Sequence, residues 1–269
     1  MSVEYPETSN RLRVTVMGSG TSMGVPTLGC HCRVCESSDP HDKRTRSSVA
    51  VSRDGHHAVI DTTPDFRFQA LRAGIDRLDA VVYTHAHADH ILGFDDVRPY
   101  NIRQKETLPI YASADTIAIL KRTFAYAFDG LPTLSTVPRV ITHIIEAPFD
   151  LLGARWTPIA AEHGDLCVFG YRIGGFVYLT DFSRLPDKSK PLAAGADDLV
   201  LDALRDTPHP MHQTVVQALE LVKELQPRRA WFTHIAHDLM HTETNERLVR
   251  EGFPNVQMAY DGLSFQVQA

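Results

Sequence analysis

Basic residues are in the minority in this 269-residue sequence: 27 lysines and arginines face 33 aspartates and glutamates, a formal net charge of −6. A general nucleic-acid binder shows the opposite balance, so nucleic acid is not the expected partner. The one short cationic run, "DKRTR" through Lys43 to Arg46, reads as a solvated loop. Long apolar runs are missing as well. No stretch approaches the ~20 apolar residues of a bilayer span, and the opening "MSVEYPETSNRLR" has no apolar signal core. No membrane partner is expected, and the expected compartment is the cytoplasm. Low-complexity tracts and repeats are absent. Cysteine is scarce, four in all, yet three fall within six positions: Cys30, Cys32 and Cys35. In a reducing compartment such a cluster points to metal rather than to disulfides. Hydrophobic content of 43% is enough for a core without disulfide staples.

The segments that are present alternate between strand and helix patterns. "LRVTVMG" (12–18) reads as a buried strand. "SSVAVSR" and "HAVID" read as a hairpin turning at Asp54-Gly55. "PDFRFQALRAG" (64–74) reads as a short helix with Pro64 near its start and Gly74 at its end. "LDAVVYTH" (78–85), "FVYLTD" (176–181), "DLVLDA" (198–203) and "RAWFTH" (229–234) read as apolar strands, each closing in Asp, His or a turn. Residues 95–135 read as mixed and partly helical. "TVVQALELVKELQP" spaces Val215, Ala218, Leu219, Val222 and Leu225 as a helix face, stopped by Pro227. The fold class is therefore α/β, with polar residues gathered at the C-terminal ends of strands, where such folds put their chemistry.

The densest of these ends is "YTHAHADHILG". His85 and His87, two apart in extended chain, point the same way. Asp89 and His90 follow as the chain turns into a helix. Four ligand-type side chains in six residues crowd polar groups where burial needs partners, and a pair of metal ions supplies them. Later strand ends offer more ligands: His163 in "AAEHGD", Asp181 closing "VYLTD" and His234 closing "WFTH". Each alone is an ordinary strand-end polar residue or cap. Together with His85 to His90 they form a six-to-seven-ligand cage, in which a bridging Asp181 would hold two cations roughly 3.5–4 Å apart.

"THAHADH", with His163, Asp181 and His234 following in order, resembles the HxHxDH motif of the metallo-β-lactamase superfamily. The resemblance implies a four-layer αββα sandwich over residues 1–269 as one hydrolase domain. It also implies that His85, His87 and His163 hold one metal, that Asp89, His90 and His234 hold the other, and that Asp181 bridges. Asp61 in "VIDTTPD" looks like the superfamily's structural aspartate that braces the ligand loop. The superfamily acts on many substrates, so the fold does not name one.

Cys30-x-Cys32-x-x-Cys35 is a zinc half-pattern lacking a fourth ligand. Cys167, in the apparent strand "CVFGYRI", reads as a buried inert thiol. His237, three residues after His234 in "THIAHD", is the better fourth ligand, and completes a structural zinc-binding loop at 29–36. This combination resembles a narrower group, the PhnP-like phosphodiesterases, in "GSGTSMGVPTLGCHCRVC", "RTRSS", "IDTTPDFR", "THAHADH", "DDVRPYN", "TDFS", "LDALR" and the closing "AYDG". Proteins of the PqqB type are similar in the cysteine loop but depart from an intact HxHxDH.

The resemblance implies two divalent active-site ions, zinc or manganese or iron, one structural zinc, and a homodimer. It implies a metal-bound hydroxide that attacks a small, cyclic phosphodiester such as a ribosyl 1,2-cyclic phosphate. In "DTPHPMHQT", His212 is the expected general acid, with His209 the alternative and Asp89 at the reacting centre. Arg67, Arg98 and Tyr126 are expected either to contact the substrate or to pack. The competing functions are tRNA 3′-end processing, thioester hydrolysis and a non-catalytic accessory role of the PqqB kind. The negative charge and the missing basic arm argue against the first.

Overall fold

The computed structural model describes residues 11–130 and 135–269, so residues 1–10 of the polar opening and 131–134 of the mixed region lie outside the described residues. Along the chain run β1 (Arg11–Gly18), β2 (Ser48–Arg53), β3 (His56–Ile60), β4 (Ala80–Val82), β5 (Leu108–Ala112) and β6 (Val140–Ile144). Then come β7 (Phe149–Leu151), β8 (Ala154–His163), β9 (Leu166–Ile173), β10 (Phe176–Leu179), β11 (Asp198–Asp202), β12 (Arg229–Thr233), β13 (Val256–Met258) and β14 (Ser264–Gln268). They form two seven-stranded mixed sheets, ordered β14-β1-β2-β3-β4-β5-β6 and β13-β12-β11-β10-β9-β8-β7. Helices α1 (Phe66–Ala73), α2 (Ala88–Ile91), α3 (Arg98–Gln104), α4 (Ala114–Thr123) and α5 (Ala125–Phe128) belong to the first half of the chain. Helices α6 (Lys190–Ala193), α7 (Val215–Leu225) and α8 (His241–Arg250) belong to the second.

Three apolar layers separate the four structural ones. Val14, Val51 and Ile60 of the first sheet meet Trp156, Tyr178 and Val200 of the second in the middle layer. Phe66 of α1 and Leu120 of α4 cover the outer face of the first sheet, against Val59 and Val81. Val215, Leu219 and Val222 of α7, with Leu248 of α8, cover the second, against Leu199 and Phe232. This is the expected αββα sandwich. Each fully buried large side chain adds roughly 1.5–3 kcal/mol.

Local chemistry sets the element boundaries. Asp54 and Gly55 both take positive φ, 51° and 82°, as a tight hairpin turn demands. Thr214 and Gln217 close a reciprocal capping box on α7, and Gln226 ends that helix in the left-handed conformation just before Pro227. The strand expected over 78–85 is shorter: only Ala80–Val82 lie in the ladder. Its continuation bonds elsewhere. The Tyr171 hydroxyl donates to the Tyr83 carbonyl at 2.6 Å, and the Thr84 N–H donates to Asp61 at 2.8 Å. The Tyr83 N–H still reaches the Tyr111 carbonyl of β5, but the Thr84 carbonyl accepts from the Phe169 N–H of β9, so the segment beyond Val82 bridges to the second sheet.

Two expectations are corrected. "DKRTR" is not a solvated loop. Arg44 is buried and paired with buried Asp42 at 2.8 Å, Lys43 donates to the Cys35 carbonyl, and Arg46 pairs with Asp65. The counter-charges lie in and beside the loop, which lets it fold inward. Cys167 is exposed rather than buried. It sits on β9 next to Val168, whose side chain takes the core face, and period-two alternation turns the thiol outward.

Candidate metal centres

Five strand ends from both sheets and the start of one helix converge on one edge of the sandwich. Asp61 follows β3, and His85 and His87 follow β4. Asp89 and His90 open α2, His163 closes β8, Asp181 follows β10, and His234 follows β12. Asp61, Asp181 and His234 take positive φ of 66°, 55° and 58°. Left-handed backbone at a non-glycine residue costs of order 1–3 kcal/mol and clusters at functional sites. Here it swings each side chain off its strand axis. Gly93, just after α2, approaches the Asp61 turn so closely that a Cβ would lie 2.0 Å from the Thr63 carbonyl oxygen, and its N–H donates to the Thr62 carbonyl. Only glycine seats the ligand helix this tightly.

The ligand-type atoms fall into overlapping groups within 4.8 Å: His85, His87 and His163; His85, His90 and Asp181; Asp89, Asp181 and His234. Asp181 is common to two of them. Its Oδ2 is 3.3 Å from His90 Nε2 and 3.1 Å from His234 Nδ1, and Asp89 Oδ2 is also 3.3 Å from His90 Nε2. Partners outside the cage fix which ring nitrogen faces in. Asp61 Oδ2 accepts from Thr84 Oγ1 at 2.8 Å and from His90 Nδ1 at 2.7 Å. The single Thr84 hydroxyl hydrogen is thereby committed, so Thr84 accepts from His85 Nδ1 at 3.0 Å. His163 Nδ1 donates to the Met211 carbonyl at 2.9 Å, and His234 Nε2 lies 3.4 Å from Thr21 Oγ1. Each ring turns its other nitrogen inward. His85 Nε2, His90 Nε2 and His234 Nδ1 are all buried without a hydrogen-bond partner. Orphaned, inward-pointing imidazole nitrogens beside carboxylates are a donor set that fits divalent cations.

The electrostatics agree. Burial drives His85 well below the ordinary imidazole range, aided by His90, so its lone pair is available. Burial also opposes a proton on His90, but Asp181, Asp89 and Asp61 outweigh it and hold that ring well above its usual value. Burial likewise works to raise Asp181, yet His234 and His90 keep it well below the carboxylate range. The centre holds carboxylates that demand positive charge, which a cation would supply.

A family model described as a beta-lactamase superfamily domain matches residues 56–235. The chain belongs to this superfamily. A PhnP-family diphosphatase of known structure is similar to this superfamily member, with a TM-score of 0.88 and 48% identity, over 96% of this chain and 97% of its own. Zn²⁺-bound PqqB from Methylobacterium extorquens has a TM-score of 0.76 at 21% identity, covering 94% of this chain and 99% of that one, a likeness of fold. Among curated proteins, an octanoyltransferase of Porphyromonas gingivalis is 37% identical over 256 residues, which is 94% of this chain and 51% of that protein. The chain thus spans about half the length of that curated relative. Its metallo-β-lactamase fold places it with proteins whose fold implies divalent metals.

Beside the cage the superfamily scaffold places His212. Its ring stacks on His234 with centroids 4.6 Å apart and 14° between planes, and lies 5.0 Å from His163. A ring nitrogen of His212 also falls within 4.8 Å of His163 and Asp181 ligand atoms. His209 lies one ring further out, 5.0 Å from His212. The sequence reading missed Asp202. This fully buried carboxylate at the end of β11 accepts from His212 Nδ1 at 2.9 Å. A strand-end aspartate ten residues before the histidine was its only signal. Arg98 and Tyr126 both spend themselves on Asp95, at 2.6 and 2.5 Å, and Arg67 is exposed on α1.

The second cluster gathers Cys30, Cys32, Cys35 and His237. His237 Nδ1 lies 3.2 Å from Cys30 Sγ and 3.5 Å from each of Cys32 and Cys35 Sγ. A tetrahedral zinc with Zn–S about 2.3 Å and Zn–N about 2.0–2.1 Å has S···N edges of about 3.5 Å, so the four atoms fit one ion. Backbone N–H groups of Thr27 and Cys35 point at Cys35 and Cys32 sulfurs. The bond from the Cys35 N–H is the main reason the Cys32 thiol is lowered to about 6, whereas burial raises Cys35 to about 11. A thiol-specific mercurial is expected to release one zinc per chain to a chromophoric indicator, while the ions of the other centre stay bound. Release of no zinc would refute the site.

Proposed function

We propose that the chain is a metal-dependent phosphodiesterase acting on a small, cyclic phosphodiester of the ribosyl 1,2-cyclic phosphate type. The Asp202–His212 pair carries the reading: a buried carboxylate and an imidazole stand directly against the cage. An alkoxide leaving phosphorus needs a proton, and an imidazole beside it can give one. In this reading His85, His87 and His163 would hold one cation and Asp89, His90 and His234 the other, with Asp181 within reach of both sets. Zinc, manganese or iron(II) suit such a mixed set, and zinc suits the cysteine site. When bound, the cations supply Lewis-acid charge at the phosphoryl oxygens and a water acidic enough to attack near neutral pH.

The remaining work falls to the chain. Asp61 and Thr84 hold His90 and His85 with Nε2 facing inward. Asp202 accepts from His212 Nδ1 and fixes the ring's orientation, which leaves Nε2 as the nitrogen facing the leaving oxygen. His209 bounds the same edge and is the alternative donor. The likeness to a PhnP-family diphosphatase supports attack at phosphorus, and it favours a second reading in which the scissile bond joins two phosphates. The transferase name describes a protein about twice this length and is not carried over.

Metal-replete protein assayed against a chromogenic diester, a ribose cyclic phosphate, a diphosphate and a thioester decides the matter, with Asp89→Ala as blank. Cleavage of the two diesters, absent in the blank, is expected. Turnover of the diphosphate alone moves the assignment to the second reading, and turnover of the thioester alone sinks both.

A further inference from the structure

On the outer face of the first sheet, away from the ligand-bearing strand ends, strand register builds a cationic row. Gln266 of β14 pairs with Arg13 of β1, Arg13 with Ser52 of β2, and Ser52 with His57 of β3. Directly paired residues share a face. Their neighbours Val14, Val51, Ala58 and Val267 fill the layer between the sheets, so the row points outward. Arg11, two residues from Arg13 on the same face, flanks it, and the C-terminal end of α1 walls one side. The half-open cavity is about 450 Å³.

The charge of this cavity runs against that of the molecule. Its lining includes three arginines and one carboxylate, Asp54, in a chain of net charge −6. Its donors are also underused. The Arg13 side chain has no hydrogen bond or ion pair among the described residues. Arg11 reaches only Gln266, at a long 3.4 Å. His57 Nδ1 is buried with no hydrogen-bond partner, whereas Arg53, one residue on from Ser52 and so on the opposite face, donates from Nη1 to the Leu152 and Gly153 carbonyls. A buried donor left unmatched is costly unless a ligand completes it, and guanidinium forks match phosphate oxygens.

We propose that this cavity binds a phosphorylated small molecule, with the phosphate taken by Arg11, Arg13 and the inward nitrogen of His57. None of its lining residues belongs to either metal centre. The volume exceeds what one phosphate fills and accommodates a mononucleotide-sized ester.

Calorimetric titration of the metal-loaded full chain with adenosine 5′-monophosphate, inorganic phosphate and adenosine tests this at low salt. Both phosphates are expected to bind, more weakly as salt rises, and adenosine is not. Tighter binding of the monophosphate identifies a nucleotide-sized ligand; equal binding identifies the free anion. Arg11→Ala/Arg13→Ala is expected to weaken binding at least ten-fold with turnover unchanged, and Arg13→Glu alone to do the same. Asp89→Ala is expected to retain the site. Wild-type affinity in the double variant, binding lost in Asp89→Ala instead, or adenosine binding as well as its monophosphate would each overturn the assignment.

Discussion

His212→Ala lowers turnover of an alkyl phosphodiester by about 10²–10⁴-fold, the range a positioned general acid contributes, with little change in KM. The same substitution costs a nitrophenyl diester far less, because that leaving group departs without a proton. The contrast follows from where His212 sits: stacked on His234, with Nδ1 committed to Asp202, it offers only Nε2 to the cleft. Asp202→Asn gives a milder version of the pattern, since the ring remains but nothing holds it in one tautomer. The competing role is ligation, because His212 also groups with His163 and Asp181. Metal analysis of His212→Ala separates the two. Equal losses for both leaving groups together with lost metal would make His212 a ligand instead of an acid.

The strands and the clustering of ligand-type residues were legible in the sequence for a physical reason, whereas the four-layer order came from the resemblance to the superfamily. Strand periodicity marks the sheets, and a ligand loop must crowd His and Asp where an ordinary turn would not. What stayed hidden depended on contacts between distant segments. Asp202 looked like any strand-end carboxylate, because its meaning comes from His212 folding back over it. Thr84 passed as a strand residue, although its hydroxyl relays Asp61 to His85. The short cationic run looked solvated because its buried partners, Leu239 and Ala236, come from nearly two hundred residues away. Composition reports how many charges a segment has. It does not report which of them the fold will enclose.

That run carries the second large effect. Arg44 and Asp42 are almost completely enclosed, with side-chain exposures of 0% and 1%. Arg44 Nη2 donates to Asp42 at 2.8 Å and to the Leu239 carbonyl at 2.9 Å, and Nη1 reaches the Ala236 carbonyl at 3.4 Å. Asp42 also accepts from the His241 N–H at 2.8 Å, where α8 begins. The pair therefore clamps residues 236–241, the loop that holds His237 in the cysteine cluster and directly follows His234 of the cage. Removing one partner of a buried ion pair leaves an uncompensated charge and costs about 3–5 kcal/mol. Asp42→Ala is accordingly expected to lower the melting temperature by roughly 6–20 °C, at the 2–4 °C per kcal/mol of a chain this long. Zinc release from the cysteine site should quicken in the same variant, because His237 loses its anchor. Asp42→Ala/Arg44→Met removes both charges and should recover much of the loss, which a double-mutant cycle reads directly. A single variant that melts within about 1 kcal/mol of the parent and keeps its zinc as long would mean that the loop is held by the metal alone and that the ion pair merely fills the space beneath it.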